Sequence, residues 1–353
     1  MLMDKRKEPP TLDDAPFKRL RPDDPTHFST TITRTIASTR PWALPLHSAT
    51  TKVFQGHTAE VYTCQFSPSG HHIASAGVEK RIYLWNTFGD SSNYGIIAGH
   101  IGSIQELQWS KDERTIFTAS ADKTCGAFDA QTGERIRSCK GHTAAVNSCS
   151  LSRQGPELLT SGSDDGSAKI WDLRTSSAVV RFGMNYPITS VCFSDTNELL
   201  FAAGNNHSIL AWDIRANRVR FTLRGHLNTV TGISLSQDGT QLLSYAMDNK
   251  VRLWDVTPSV ENTHRLRATL EGAVHGSELR LIRPAWSKDG SMLGTGSGDG
   301  TVTLWNAYTH QIIYRHSSHK GSANAIDFHH MEPAVLSCSS DQTLVLGKVH
   351  SFS

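Results

Sequence analysis

A chain of 353 residues with 38% hydrophobic content carries enough apolar material for a large core, and its length alone would accommodate two or three domains. Its net charge of +2 supplies no global field that would by itself draw nucleic acid or a membrane surface. No apolar run approaches the roughly 18 residues of a membrane span, and the opening MLMDKRKEPP lacks the apolar centre of a secretory signal, so a reducing compartment is expected. The cysteines agree: Cys64, Cys125, Cys139, Cys149, Cys192 and Cys338 are scattered and form no CxxC pair. Cys64 and Cys149 each fall seven residues after a Gly-His histidine, which reads as core filling rather than redox or metal chemistry.

Residues 1–45 are rich in Pro, Thr, Asp, Lys and Arg, show no sustained apolar period, and are expected to form a disordered tail. Two basic clusters, Lys5-Arg6-Lys7 and Lys18-Arg19-Leu20-Arg21, stand ten residues apart within it. That spacing suits a bipartite nuclear localisation signal, whose two sets of cations enter two acidic grooves on an import receptor. Asp13, Asp14, Asp23 and Asp24 dilute the charge, so an RNA-contacting arm is the weaker reading.

From Lys52 onward one unit recurs. In its clearest copy, Leu158 to Arg174, an apolar strand runs into a polar turn at Ser163 to Gly166 and a second strand leads to Trp171. Equivalents of Trp171 are Trp85, Phe128, Trp212, Trp254, Trp305 and, in a degenerate last copy, Gly347. Six residues before each stands Glu79, Asp122, Asp165, Asn206, Asp248, Asp299 or Asp341, and upstream lies His57, His100, His142, Met184, His226, His275 or His319. Seven copies about 42 residues apart identify a repeat protein, and the strands predicted in each unit (Val61 to Phe66, Ile104 to Trp109 and Val146 to Leu151 as the first, Glu134 to Cys139 and Arg218 to Leu223 as the fourth) make one antiparallel sheet per copy. Seven such sheets set radially give an all-β, seven-bladed propeller on residues 46–353.

Several units combine His, Asp and a Ser or Thr, the set that acyl transfer uses, because Ser75, Thr118, Ser161, Ala202, Ser244, Thr295 and Ser337 precede each turn Asp by four residues. A catalytic site is needed once, whereas this set repeats. The economical reading is a buried relay in which Asp accepts from His, His bonds the hydroxyl and the hydroxyl meets the Trp N–H, carried by His57, His100, His142, His226, Ser161, Asp122, Asp165, Asp248, Asp299, Trp171, Trp254 and Trp305. In the fourth copy Met184, Ala202 and Asn206 replace its His, Ser and Asp together, as expected of a network kept or lost whole. No cofactor or metal site is expected: GTGSGDG (residues 294–300) lacks phosphate-loop spacing, and His71-His72 and His329-His330 are neighbours on turns. The sequon Asn206-His207-Ser208 has no secretory route to modification.

Gly141-His142 followed by Trp171-Asp172, and Gly225-His226 followed by Trp254-Asp255, resemble the signature of the WD-repeat family over residues 52–350. Phe128 for the second Trp, Glu79 for the first Asp and the unmatched residues 22–50 depart from it. In that family the first strand completes the last blade, which places Thr51 to Gln55 there. The stretches NTFGDSSNYGIIAGHIGSIQELQWS, SADKTCGAFDAQTGERIRSCKGHTAAVNSC, AMDNKVRLWDV and LEGAVHGSELRLIRPAWSKDG lie partly in loops and resemble the spliceosomal branch of the family, found in the U5 small nuclear ribonucleoprotein. The resemblance implies a non-catalytic nuclear scaffold that docks on the large scaffold protein of that particle and on other spliceosomal proteins during pre-mRNA splicing, with RNA contact indirect or minor.

It also implies a partner rim, since family residues three and five after the Gly-His histidine, and the one before the turn Asp, surround the narrower channel mouth. Here these are Glu60, Tyr62, Gln105, Asn147, Asp164, Met247 and, allowing for the longer sixth unit, Arg280. An alternative role is substrate receptor of a cullin-RING ubiquitin ligase through the Trp-Asp-x-Arg ends at Arg174 and Arg215; a histone-binding propeller fits less well, because no long N-terminal helical period exists. For the tail, changing Lys18, Arg19 and Arg21 to Ala should move a reporter fused to residues 1–30 from nucleus to cytoplasm in fluorescence images, because both clusters engage the receptor together; unchanged nuclear accumulation would discard the signal.

Overall fold

The computed structural model describes residues 51–175, 177–260 and 264–349; the tail and its two basic clusters lie outside them. The described chain folds into seven four-stranded antiparallel sheets. In blade 1 the strands are Val61–Phe66, His72–Gly77, Arg81–Asn86 and Asn93–Ala98, from the central channel outward. The first strands of blades 2 and 3 are Ile104–Trp109 and Val146–Leu151, as the period predicts; the fourth strand of blade 2, Arg135–Lys140, is shifted by one residue from expectation, and that of blade 4, Arg218–Arg224, is longer by one.

Burial explains the sequence texture. A second strand such as Thr115–Ser120 is sandwiched between neighbouring blades and is buried from Ile116 to Ser120, so apolar and small residues run without alternation. Outermost strands such as Asn93–Ala98 have solvent on one side and alternate. Where the second strand turns into the third, the residue after each turn Asp or its equivalent is left-handed: Lys80, Lys123, Gly166, His207, Asn249, Gly300 and Gln342 all have φ between 62° and 80°. The turn carboxylate offsets that conformational cost by taking the N–H two residues on, as from Asp165 Oδ1 to the Ser167 N–H at 2.9 Å.

Side chains around the channel join the blades. Asp327 accepts the Phe66 N–H, Gln65 the Trp109 N–H, Glu106 the Cys149 N–H, and Ser148 and Ser190 those of Val191 and Ile233, so inner-strand amides that lack a partner within their own sheet are satisfied by the preceding blade. At the other end of the inner strands Asn147, Thr231 and Asn324 donate to the carbonyls of Ile188, Ile282 and Val61.

Blade 6 departs from the pattern. Its inner strand is only Pro284–Trp286, since Pro284 has no N–H to extend the ladder, and the residues before it form an inserted loop. That loop ends on Arg283, which is buried in the channel. Its guanidinium donates to the carbonyls of Asn147 in blade 3 and Thr189 in blade 4, and lies 3.7 Å from Glu106 in blade 2.

The ring closes through Lys52–Gln55, which pairs with Thr343–Lys348 in the register Lys52↔Leu346 to Gln55↔Thr343 and completes blade 7. Phe54 on this strand is fully buried among Tyr83, Trp85, Leu336 and Leu344. Removing a buried Phe costs about 3–5 kcal/mol, and the strand's hydrogen bonds go with it. Deleting residues 1–45 should therefore leave the melting temperature nearly unchanged, and deleting residues 1–56 should lower it steeply. Equal melting temperatures for the two truncations in a calorimetric scan would disprove closure by this strand.

Candidate functional site: the channel rim and the relay beneath it

The relay is present at hydrogen-bond distance in blades 1, 3 and 5. In blade 3 His142 Nδ1 lies 2.8 Å from Asp165, His142 Nε2 2.8 Å from Ser161, and Trp171 Nε1–H donates to the same hydroxyl oxygen at 2.8 Å. The carboxylate only accepts, so Nδ1 carries the proton; Nε2 then accepts from the Ser161 O–H, which leaves that oxygen free for the Trp171 N–H. His226, Asp248, Ser244 and Trp254 repeat the arrangement, and His57, Ser75 and Trp85 do so with Glu79 in place of Asp. The Tyr83 hydroxyl bonds the second oxygen of Glu79, using the longer side chain.

Electrostatics follow from this packing. Burial holds His100, His142 and His226 below the usual imidazole value despite the carboxylates beside them, which keeps the rings neutral. Burial alone would raise Asp165, but Ser167, the Thr143 N–H and His142 all bond its carboxylate and bring it down to about 2. Asp248 and Glu79 are also drawn down to about 2 by such bonds. Ser161 has no exposed surface and its hydroxyl is engaged on both sides, so no substrate carbonyl can reach it.

The other blades keep parts of the set. Blade 2 retains His100, Asp122 and Thr118 but has Phe128, whose ring leaves no room for a Cβ at Gly126. Blade 7 retains His319, Asp341 and Ser337 with Gly347 at the Trp position. In blade 4, with Ala202 at the hydroxyl position, the Trp212 Nε1–H is buried without a partner among the described residues. Blade 6 corrects the expectation for Asp299 and Trp305: His275 bonds neither Asp299 nor Thr295, Asp299 serves its own turn and Arg315, and the Trp305 N–H goes to the Glu271 carbonyl at 3.2 Å. The inserted loop has moved the histidine segment off the hairpin.

Above the relay, the residues predicted for the rim fall into separate groups. Glu60, Tyr62 and Arg280 come together: Arg280 donates to Glu60 at 2.7 Å and to the Tyr62 hydroxyl at 3.2 Å, and its guanidinium sits over the Tyr62 ring. Burial raises the Tyr62 hydroxyl above its usual value, with Arg280 opposing. All three are half-buried, and Tyr62 belongs to the strand Val61–Phe66. Asn147 is buried, tied to Asp164 at 2.6 Å and to the Ile188 carbonyl, and so offers no surface. Gln105 bonds Ser103; Met247 is half-buried at the mouth; Asp164 is exposed. Arg280 is not the positional equivalent of Tyr62. Ile282 takes the place of Val61, since Thr231 donates to its carbonyl as Asn324 does to that of Val61, and Arg280 precedes it within the inserted loop.

Sequence reasoning also passed over Ile101 and Leu227, each directly after a Gly-His histidine and 83% and 82% exposed. Other copies carry Thr, Asn, Gly or Lys there, so the signal was legible. At the opposite mouth, Arg174 is clamped by Asp172 at 2.8 Å, whereas Arg215 is exposed on the turn after Asp213.

A ring of seven four-stranded sheets, in which blades 1, 3 and 5 tie a Gly-His loop to a Trp hairpin, defines a WD-repeat propeller. The chain belongs to the WD40 family, described as WD domain, G-beta repeat, whose profile matches residues 48–86, 91–129, 133–172, 179–213, 217–255, 269–306 and 310–346. It is 43% identical to the U5 small nuclear ribonucleoprotein 40 kDa protein of Homo sapiens over 297 residues, 84% of this chain and 83% of that protein. It is 40% identical to the pre-mRNA-splicing factor cwf17 of Schizosaccharomyces pombe over 295 residues, 84% of this chain and 86% of the relative. Identity to a guanine nucleotide-binding protein subunit beta of Oryza sativa subsp. japonica is 30% over 291 residues, 76% of this chain and 75% of that one.

Because the relay is buried, Asp165→Ala should leave His142 without its acceptor and cost about 1–3 kcal/mol in denaturant melts. Asn206→Ala, in the blade without a relay, should cost less. Equal losses for the two variants would remove the relay from the account of blade stability.

Proposed function

We propose that this chain is a non-catalytic scaffold subunit of the U5 small nuclear ribonucleoprotein and of the spliceosome, acting in pre-mRNA splicing in the nucleus. The observation that carries the reading is the gap between 40–43% identity to a pre-mRNA-splicing factor and a U5 small nuclear ribonucleoprotein protein and 30% to a propeller of the same family named for another role, with the higher identities spread over 84% of the chain. Shared strands account for a common fold, whereas loops and rims distinguish one propeller from another.

The partner proposed is the large scaffold protein of that particle, met by the mouth that carries Tyr62, Met247 and Arg280. Tyr and Arg are residue types that concentrate binding energy, and Met adapts to irregular surfaces. The exposed Ile101 and Leu227 on their Gly-His loops, and Leu279 on the inserted loop of blade 6, add apolar area. The mutual bonds of Arg280, Tyr62 and Glu60 hold these side chains in place before a partner arrives, which lowers the entropy cost of docking.

The triple change Tyr62→Ala, Met247→Ala and Arg280→Ala should reduce co-precipitation of splicing proteins by roughly tenfold or more, as expected when hot-spot residues are removed together, and the melt should stay cooperative. Full recovery of the complex by a folded triple variant would move docking to the opposite face or to the blade edges.

A further inference from the structure

Several of the exposed arginines in the described chain are already engaged. Arg174 is held by Asp172, Arg267 by Asp255 and Arg315 by Asp299, and the half-buried Arg135 and Arg137 donate to backbone carbonyls. The outer strand of blade 4, Arg218–Arg224, and the turn before it differ. Arg215, Arg218, Arg220 and Arg224 are all exposed, and none makes an ion pair or a side-chain hydrogen bond among the described residues. Four guanidinium groups thus stand free within ten residues of a chain whose net charge is +2.

The strand itself is firmly seated. Phe221 and Leu223 are 5% and 2% exposed, and Arg265 of blade 5 stacks on the Phe221 ring at 3.8 Å, near enough for its charge and that of Arg220 to act on each other. A hollow of about 540 Å³ lined by Asp213, Arg218, Val219 and Arg220 opens beside the strand. Asp213 is the single carboxylate in that lining, and one of its oxygens is committed to the Ala216 N–H.

We propose that this edge of blade 4 binds the phosphate backbone of single-stranded RNA without regard to sequence. A guanidinium offers a planar fork matched to phosphate oxygens. Arg220 and Arg224 lie four residues apart on one face, about 13 Å along a strand, and Arg218 stands just before the bulge. Phe221, the aromatic side chain of the strand, is buried, so no base is stacked and none is read. An acidic peptide added as a fifth strand fits less well, because the bulge between Ala211 and Trp212 displaces the backbone at Arg220 and breaks the even row of edge hydrogen bonds. This inference concerns the blade edge, not the rim, and stands or falls separately from the docking reading.

The test is fluorescence anisotropy of a labelled oligouridine of about 20 nucleotides titrated with the full chain between about 50 and 200 mM salt, where each phosphate contact on a single strand contributes about 0.7 to the log–log salt slope. Arg218→Ala, Arg220→Ala and Arg224→Ala combined should weaken binding roughly tenfold or more at the lowest salt and flatten the slope by about 2. The same three positions changed to Lys should keep the slope, which separates lost charge from a damaged strand. Lys18→Ala, Arg19→Ala and Arg21→Ala combined should lose less than the strand variant. The proposal is overturned if the wild-type chain does not bind the RNA, if the Ala variant binds it as the wild type does, if the tail variant accounts for the affinity, or if a polyglutamate peptide alone depends on the three arginines. Should the triple Ala variant fail to melt cooperatively, Arg218→Ala alone decides: it should lower the slope by about 0.7, and no change overturns the proposal.

Discussion

Each complete blade depends on one buried hydroxyl. Ser75, Ser161 and Ser244 each meet a histidine on one side and a tryptophan N–H on the other, and the histidine in turn meets a carboxylate at the turn. Three groups that would be costly to bury singly become mutually satisfied, and their directions fix where the Gly-His loop sits over the hairpin. The loop leads directly into the inner strand of its own blade. Fixing the loop therefore fixes the radius at which that strand meets its neighbours, and with it the fit of the side chains that bond one inner strand to the next.

The incomplete blades show what that hydroxyl does by what happens without it. In blade 4, with Ala202 at the hydroxyl position, the Trp212 N–H has no partner among the described residues, and the Phe182 ring packs against Trp212. In blade 6 the loop preceding the inner strand is longer, the histidine has moved away, and the tryptophan turns to a backbone carbonyl. The turn carboxylate survives there because it has a second duty, holding a left-handed residue in the turn, which Asp299 performs for Gly300 and Thr301. One residue type can thus persist at a repeat position after one of its two reasons has gone.

Much of the fold was legible because the period is long and its markers are polar residues in an otherwise apolar strand. Trp171, Asp165 and His142 could be aligned with their counterparts before any geometry was known, and the closing strand followed from an unpaired segment before the first Gly-His. The site was less legible. Tyr62 and Arg280 were picked out by position, yet their bond to each other, and the burial of Asn147, depend on inter-blade distances that no single unit encodes. Arg283 had no repeat counterpart to mark it, and only the adjacent Pro284 hinted that the ladder was interrupted. Asp299 and Trp305 were misjudged because a pattern of residue types survives a displacement that separates the atoms.

Arg283 changes what kind of object the ring is. A propeller whose blades touch only their neighbours behaves like a hoop, which can open wherever its weakest joint gives way. An arginine rooted in blade 6 and bonded to blades 3 and 4, with a carboxylate of blade 2 beside it, acts instead as a spoke across the hub. Opening the ring between blades 4 and 6 must break that spoke as well as the joint, so load applied at one edge is shared across the diameter. The same side chain fills part of the hub, since it reaches the carbonyls of blades 3 and 4 from its root in blade 6.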